Sequence, residues 1–373
     1  MNINLEKFVN CPKCKAKFKT IDNSLIICDS CNSSFKIYDG IVDFRDIDNH
    51  TTKGFSIKND LNISKILLEN FNKFKTFNGL HWFLEKINNY KYLDLIEGET
   101  INQILKERVK FDIPMSKEQS LHGYDILKKI DLYRDEFNYH NFKKNVCLEN
   151  GAGHGLFVEG FSKNFNNVLV VDFSLSYLTL TKKICEEKNI SNVFLLCANV
   201  EKLPFKNNLI DLVHSNNVIE HVTSQDKMIN EINRVLSLEG LLFLLSPNKN
   251  SAYFEPHFTL PFYGFIPFKF RQWYIYKIQN RDCRDVSLLN FKELKNVFND
   301  NFSGKFDISF IPSKLKITAQ KSLLRKIIIF FLSNKFFGSV VSYFLNKILI
   351  SIMPYHVIIA KKFSKLSPQV SKR

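Results

Sequence analysis

Between residues 144 and 250 one alternation repeats until it leaves the chain little freedom of fold. Apolar runs (NVCLEN, NVLVVDF, NVFLLCA, LIDLVHS, LLFLLSP) are separated by segments with helical spacing of their apolar residues (LFVEGFSKNF, LSYLTLTKKICEEK, MINEINRVLSLEG). Strands apolar on both faces need a covering layer on each side, and intervening amphipathic helices supply it, so the pattern predicts a parallel α/β sheet. Gly240 is expected to close the helix ending LSLEG.

The turn after the first of these strands reads Glu149-Asn150-Gly151-Ala152-Gly153-His154-Gly155, with a helical pattern from Leu156. Glycines at a strand-to-helix turn let the backbone approach a ligand closely, and a helix N-terminus adds unsatisfied N–H groups. The next strand ends at Asp172, where a carboxylate is placed to accept from a ribose diol. The three glycines alternate strictly, which departs from the Gly-x-Gly-x-x-Gly spacing of dinucleotide dehydrogenases.

This constellation resembles the class I S-adenosylmethionine-dependent methyltransferases, over roughly residues 144–250 and in order. ENGAGHG matches the family's glycine motif and Asp172 its ribose acid. Leu203-Pro204-Phe205 follows the third strand, DLVHSNNVIEHV the fourth, and RVLSLEG precedes the fifth. The likeness is nearest to the small-molecule branch that includes quinone-biosynthesis enzymes. It implies a Rossmann-like seven-stranded methyltransferase sheet in an α/β fold. It also implies that Glu149 orients the cofactor's amino group, and that Gly151 and Gly153 pack against its methionine part. Asp172 would hold the ribose hydroxyls, Asn199 and Val200 would meet the adenine, and Asn216 would line the sulfonium end. Asn199 stands where the family usually has Asp, which keeps a hydrogen-bonding side chain and removes a charge.

Methyl transfer from a sulfonium needs alignment of the acceptor and removal of its proton. His221, after the fourth strand, and His257, beside Glu255 in FEPHF, are the candidate bases; His221 equally suits a buried helix start. Some quinone-type relatives hold a metal with an acid three residues before Glu-His, but Asn217 occupies that place here, so no metal is expected at Glu220 and His221. His154 reads as a variable residue of the loop.

Cys11, Cys14, Cys28 and Cys31 form two Cys-x-x-Cys pairs. Four thiolates around one zinc leave no open position, so the expected role is structural. The following SFKIYDGIVDF resembles the end of the zinc-ribbon domain of the methyltransferase activator subunit family. The other cysteines, Cys147, Cys185, Cys197 and Cys283, have no paired spacing, which suits a reducing compartment.

Charge separates the parts further. Residues 251–373 hold twenty Lys/Arg against six Asp/Glu, which is +14 of the chain's net +15, whereas residues 1–50 carry seven of each sign. A ribbon that gripped phosphates itself would show a positive excess, so nucleic acid is not the favoured partner. Four segments follow: a zinc ribbon (1–50), a helical extension (51–143), the S-adenosylmethionine-binding core (144–250), and a C-terminal third (251–373) with a substrate-covering segment, a helical and aromatic insertion and the last strands.

Residues 251–276 contain eleven aromatics and three prolines, too irregular for one helix. Asn290 and Glu293 read as a capping box, and KSLLRKIIIFFL and FFGSVVSYFLNKILIS as amphipathic helices that either cover the sheet or lie on an anionic membrane. With no apolar run long enough to span a bilayer, the expectation is a cytoplasmic enzyme, peripheral to the inner face of the membrane if the basic third touches lipid. Its expected acceptor is a small molecule or a surface-glycan or lipid-linked intermediate, methylated at oxygen. The alternatives are an RNA or translation-factor methyltransferase and a non-catalytic scaffold retaining the fold.

Overall fold

A computed structural model describes residues 5–22, 24–45, 55–88, 98–120, 122–132, 143–251, 254–255, 260–261, 266–279, 286–309, 351 and 353–363. The N-terminal strands β1 (Phe18–Ile21), β2 (Leu25–Cys28), β3 (Ser34–Tyr38) and β4 (Ile41–Asp43) pair antiparallel in sequence order. Between β3 and β4 the chain turns on Asp39 (φ 48°) and Gly40 (φ 83°), the two left-handed residues that a tight hairpin of this hand requires.

Helices α1 (Ile57–Asn70), α2 (Phe77–Asn88), α3 (Gly98–Glu107), α4 (Lys117–Ser120) and α5 (His122–Leu132) follow. Leu67, Phe77, Leu80, Phe83 and Leu84 bury one face of α1 and α2 against Leu180 and Ile184, which belong to a helix of the central sheet.

That sheet contains β5 (Val146–Asn150), β6 (Asn167–Asp172), β7 (Val193–Cys197), β8 (Ile210–Asn216) and β9 (Leu236–Pro247), with α6 (Val158–Ser162), α7 (Leu175–Glu187) and α8 (Gln225–Val235) between them. The chain continues through the short pair β10 (Phe254–Glu255) and β11 (Leu260–Pro261), α9 (Phe268–Gln279), α10 (Phe291–Asn301), β12 (Gly304–Ser309) and β13 (Tyr355–Lys362). Strand order is β7-β6-β5-β8-β9-β13-β12, parallel except for the two antiparallel pairings of β13, which is the expected seven-stranded Rossmann-like sheet.

The ribbon joins this sheet. Strand β4 pairs parallel with β7, Val42 opposite Leu196 and Asp43 opposite Cys197, so that all four ribbon strands extend one eleven-stranded sheet. Leu5, Phe8, Val9, Ile37, Val42 and Phe44 share a core with Phe194, Leu196 and Ala198. An edge strand that would otherwise present unpaired N–H and C=O groups is thereby covered.

Two sequence expectations shift. Helix α8 ends at Val235, not at Gly240, and residues 236–247 run as strand. Its C-terminal carbonyls are met by a distant cation instead: Lys362 Nζ donates to the carbonyls of Asn233 (2.6 Å) and Leu236 (2.8 Å) and to Asn208 Oδ1 (2.7 Å). Gly240 sits in β9, where an added Cβ would lie 2.9 Å from the carbonyls of Ile210 and Ser237. Helix α6 starts at Val158 and has only five residues.

The capping box of α10 is formed, with Asn290 and Glu293 each accepting from the other's backbone N–H. Both helices expected over residues 321–350 lie outside the described residues. Helix α9 turns Phe270, Trp273 and Tyr276, 58%, 60% and 57% exposed, outward, while Arg271 and Ile275 are buried. At 100° per residue Lys269 and Lys277 lie on the same outward face. No described helix is long and apolar enough to cross a membrane.

Candidate functional site

The C-terminal ends of β5, β6, β7 and β8 open on a cavity of ≈ 590 Å³ at the point where strand order reverses between β5 and β8. Open α/β sheets bind ligands at this position. Its wall comprises the glycine turn, Asp172 to Ser174 with Tyr177, Asn199 to Glu201, Asn216 to Val218, and His221 with Val222; Phe55 closes one side. Of the residues expected to touch a cofactor, Gly151, Gly153, Asp172, Asn199, Val200 and Asn216 are brought together here.

The glycine turn has the left-handed backbone that its sequence requires, with φ of 82°, 51° and 74° at Gly151, Gly153 and Gly155. Gly151 and Ala152 donate to the carbonyl of Val171, and Gly155 to that of Ala152. Gly151 has no room for a side chain, since a Cβ would meet Val218 at 2.3 Å; at Gly155 it would meet Thr181 at 2.4 Å. The N–H groups of Gly151, Ala152, Gly153 and Gly155 are all engaged within the protein, so the turn presents the cavity with open backbone at Gly151 and Gly153.

Asp172 is held from two sides: Oδ2 accepts from Gly153 N (2.7 Å) and Oδ1 from Ser174 N (2.8 Å). Burial pushes its carboxyl pKa up to about 6; those two N–H groups work against the rise and Asp60 adds to it. Asn199 Oδ1 accepts from Glu201 N at 2.8 Å, which fixes its loop beneath the cavity. The side-chain oxygens of Asn216 and Asn217 are buried and have no partner among the described residues. Buried polar atoms of this kind on a cavity wall are what a polar ligand completes.

Glu149 is the exception among the expected contacts. Its carboxylate, 1% exposed, lies under the turn and outside the cavity wall, with Oε2 2.7 Å from His214 Nδ1. Burial raises its pKa and His214 opposes the rise. The imidazole, enclosed by Phe157, Phe161 and Phe243, gives Oε2 an internal partner, while Oε1 is buried without one among the described residues.

His221 stands on the wall with 47% of its side chain exposed, Nε2 4.0 Å from Glu220 Oε1. His257 lies outside the described residues. His154 is more than a variable loop residue in this fold. Its ring lines the cavity and makes edge contacts with Tyr177 (4.9 Å) and with His81 of α2 (4.6 Å). Burial, then the neighbouring His81, holds its pKa below the ordinary histidine value, so the ring is neutral at pH 7. Phe55, Phe157 and Tyr177 were not singled out from sequence. Tyr177 alone carried a signal, as the first-turn aromatic after the Ser174 N-cap.

The four ribbon cysteines converge. Their sulfurs lie within 4.8 Å of one another, with Cys11–Cys31 at 3.6 Å and Cys14–Cys28 at 3.4 Å. A tetrahedral Zn–S₄ site with bonds of about 2.3 Å has sulfur–sulfur edges of about 3.8 Å, so the donor set and spacing fit one zinc ion. Among the described residues no other group of three or more His, Cys, Asp or Glu side chains has metal-binding geometry. A further cavity of ≈ 500 Å³ runs along the seam between the ribbon and α7, where Lys182 is ion-paired with Asp39.

Residues 148–244 match the family profile described as "Methyltransferase domain". An uncharacterized protein of Methanocaldococcus jannaschii is 38% identical over 134 residues, 36% of this chain and 54% of that protein. The ubiquinone/menaquinone biosynthesis C-methyltransferase of Wigglesworthia glossinidia brevipalpis is 25% identical over 54% of this chain and 76% of its own length. The chain thus spans about half the length of the first of these relatives. Among solved structures, phosphoethanolamine N-methyltransferase 2 of Haemonchus contortus, in complex with S-adenosyl-L-methionine, superposes with a TM-score of 0.42 at 15% identity, covering 64% of this chain and 52% of that one.

The turn's geometry orders its glycines by sensitivity. Gly153→Ala, whose Cβ meets nothing within 4 Å, is expected to cost about 1 kcal/mol, the left-handed penalty alone. Gly151→Ala and Gly155→Ala add a steric clash and should cost more than about 2 kcal/mol each. Urea unfolding of the three variants checks the order.

Proposed function

We propose that the protein is an S-adenosylmethionine-dependent methyltransferase acting at oxygen on a small molecule or on a surface-glycan or lipid-linked intermediate, with a structural zinc in its ribbon. The observation that carries this reading is the convergence of the glycine turn, Asp172, Asn199, Val200 and Asn216 on one cavity at the reversal point of the sheet. The matched methyltransferase domain over 148–244 supports it.

In this reading the open backbone of the turn, without side chains at Gly151 and Gly153, packs against the methionine part. Asp172 accepts from the ribose hydroxyls, Asn199 and Val200 flank the adenine, and Asn216 faces the sulfonium end. Glu149, held by His214 through Oε2, keeps Oε1 buried and without a partner among the described residues, and orients the cofactor's amino group from beneath the turn. The cofactor, when bound, supplies a methyl group already activated on a sulfonium, so the protein's share is alignment and proton removal. A hydroxyl acceptor would have to be aligned by the cavity wall and to give up its proton to a base of this chain. His221, at the exposed rim, is placed to take that proton. His257 remains a sequence-based candidate for the same role. His154, neutral and packed on Tyr177 and His81, forms the opposite wall.

The outward face of α9 supports contact with a membrane that carries a lipid-linked acceptor. Three exposed aromatics flanked by Lys269 and Lys277, with no acidic residue in the helix, match an anionic lipid interface.

Three outcomes test this reading. Calorimetry on the full chain should show S-adenosylhomocysteine binding at pH 7.5 that Asp172→Ala abolishes. Because burial raises the Asp172 pKa to about 6, its ionised form is lost as pH falls below that value. Affinity should then drop by up to about tenfold per pH unit, and Asp172→Asn should remove that dependence; no binding at any pH defeats the proposal.

Elemental analysis should find one zinc per chain. Cys28→Ser should lose it and lower the Tm of the whole chain by more than about 5 °C in a single transition, because ribbon and sheet share a core.

Co-sedimentation with phosphatidylglycerol vesicles should weaken about tenfold in a Trp273→Ala, Lys277→Glu double variant. Retention of RNA in place of vesicles would favour the nucleic-acid alternative.

A further inference from the structure

The last ribbon strand delivers Arg45 into the interior, where its side chain is completely buried. Its guanidinium is bidentate to Asp43 (Nε to Oδ1 2.9 Å, Nη2 to Oδ2 2.7 Å), while Nη1 donates to Asp60 Oδ2 (2.7 Å) and to the carbonyl of Phe173 (3.0 Å). Asp60, on α1, in turn grips the start of α7. Its Oδ2 accepts from Leu175 N (2.9 Å), and its Oδ1 from Ser176 N (3.2 Å) and from the hydroxyls of Ser174 and Ser176 (both 2.9 Å). Residues 173–176 are therefore held by these two side chains. They follow directly on Asp172, whose own Oδ1 is oriented by Ser174 N. Arg45 and Asp60 do not line the cavity; they act on it through the backbone.

We infer that Arg45 and Asp60 are positioning residues for the cofactor's ribose, and that the folded ribbon sets cofactor affinity through them. The inference rests on the reading of the cavity as an S-adenosylmethionine site. Strand β4 fixes where Arg45 enters, since Phe44 N donates to the carbonyl of Cys197 (2.7 Å) beside Asp43. Arg45 holds the Phe173 carbonyl, and Ser174 then presents its N–H to Asp172. Loss of the metal would loosen the strands that lead into β4, leaving β7 alone to hold it, and with them the guanidinium's grip on the Phe173 carbonyl. A lysine at position 45 keeps the charge but lacks the planar fork that meets Asp43, Asp60 and Phe173 together.

The test uses the full, zinc-loaded chain and two ligands, S-adenosylhomocysteine and its analogue lacking the ribose hydroxyls. Arg45→Lys and Asp60→Asn should each weaken S-adenosylhomocysteine about tenfold, with zinc content unchanged, while the analogue binds the variants and the unaltered chain alike. Equal affinity of variants and unaltered chain for S-adenosylhomocysteine overturns the inference, as does an equal loss for both ligands, which marks general destabilisation. Hydrogen exchange on the unaltered chain during zinc withdrawal reads the same coupling without a substitution. Amides of Leu175, Ser176 and Gly153 should lose protection with the ribbon, and undiminished protection there refutes it. If the unaltered chain binds neither ligand, the cofactor reading fails; the exchange experiment still decides whether ribbon and loop are coupled.

Discussion

A guanidinium without solvent is the constraint around which the rest of this structure is arranged. Burying one charge is costly, and a buried pair is tolerated only when its donors and acceptors are met. Arg45 places four of its five N–H donors on two carboxylates and a carbonyl, taken from β4, from α1 and from the segment leading into α7. Two acids against one base leave a net negative charge inside the protein, and the N-terminus of α7 answers it. Asp60 accepts two backbone N–H groups there, at the end of a 13-residue helix whose dipole favours an anion. Ribbon, helical extension and central sheet are thus joined by one set of charges that none of them can abandon without leaving another buried and unpaired.

The same arrangement bears on the chemistry of the cavity. Asp172 lies next to this cluster, and Asp60 adds to the burial that raises its pKa. A carboxylate meant to accept from hydroxyls is most useful ionised, yet ionisation is disfavoured in so enclosed a place. The N–H groups of Gly153 and Ser174 offset part of that cost, and a ligand's hydroxyls would offset more. The strained glycine turn serves this end: with Gly153 left-handed, its N–H points at Asp172. A single carboxylate therefore registers the glycine turn on one side and the Arg45 cluster on the other.

What could be read from the chain alone was what local sequence determines. ENGAGHG makes a glycine turn after a strand, Asp172 ends the next strand, and Asn290 with Glu293 caps a helix; each depends on neighbours a few positions away. Cys11, Cys14, Cys28 and Cys31 were legible because a metal's geometry is written in their spacing. The unread parts all involve partners far apart in sequence. Lys362 closes α8 from β13, so Gly240 was misread as the cap. His214 binds Glu149 Oε2 from a neighbouring strand, a partner that no local pattern announces. Nothing in the sequence singles out Arg45, Asp43 and Asp60, and only the fold shows that they are buried together.

That charge balance acquires a meaning once the fold is known. Seven charges of each sign in residues 1–50 describe a segment that spends part of its charge internally, in Asp43 with Arg45 and in Asp39 with Lys182 of α7. Strand β4 also occupies the free edge of β7. Strand pairing, a shared apolar core and the buried Asp43–Arg45 pair commit this module to the sheet. Among the described residues, exposed aromatics stand on α9, where Phe270, Trp273 and Tyr276 share the outward face with Lys269 and Lys277. Charge is thus divided by where it is buried: the ribbon's Arg45 and Asp43 act inside the protein, on the segment that follows Asp172, whereas the cations of α9 face outward.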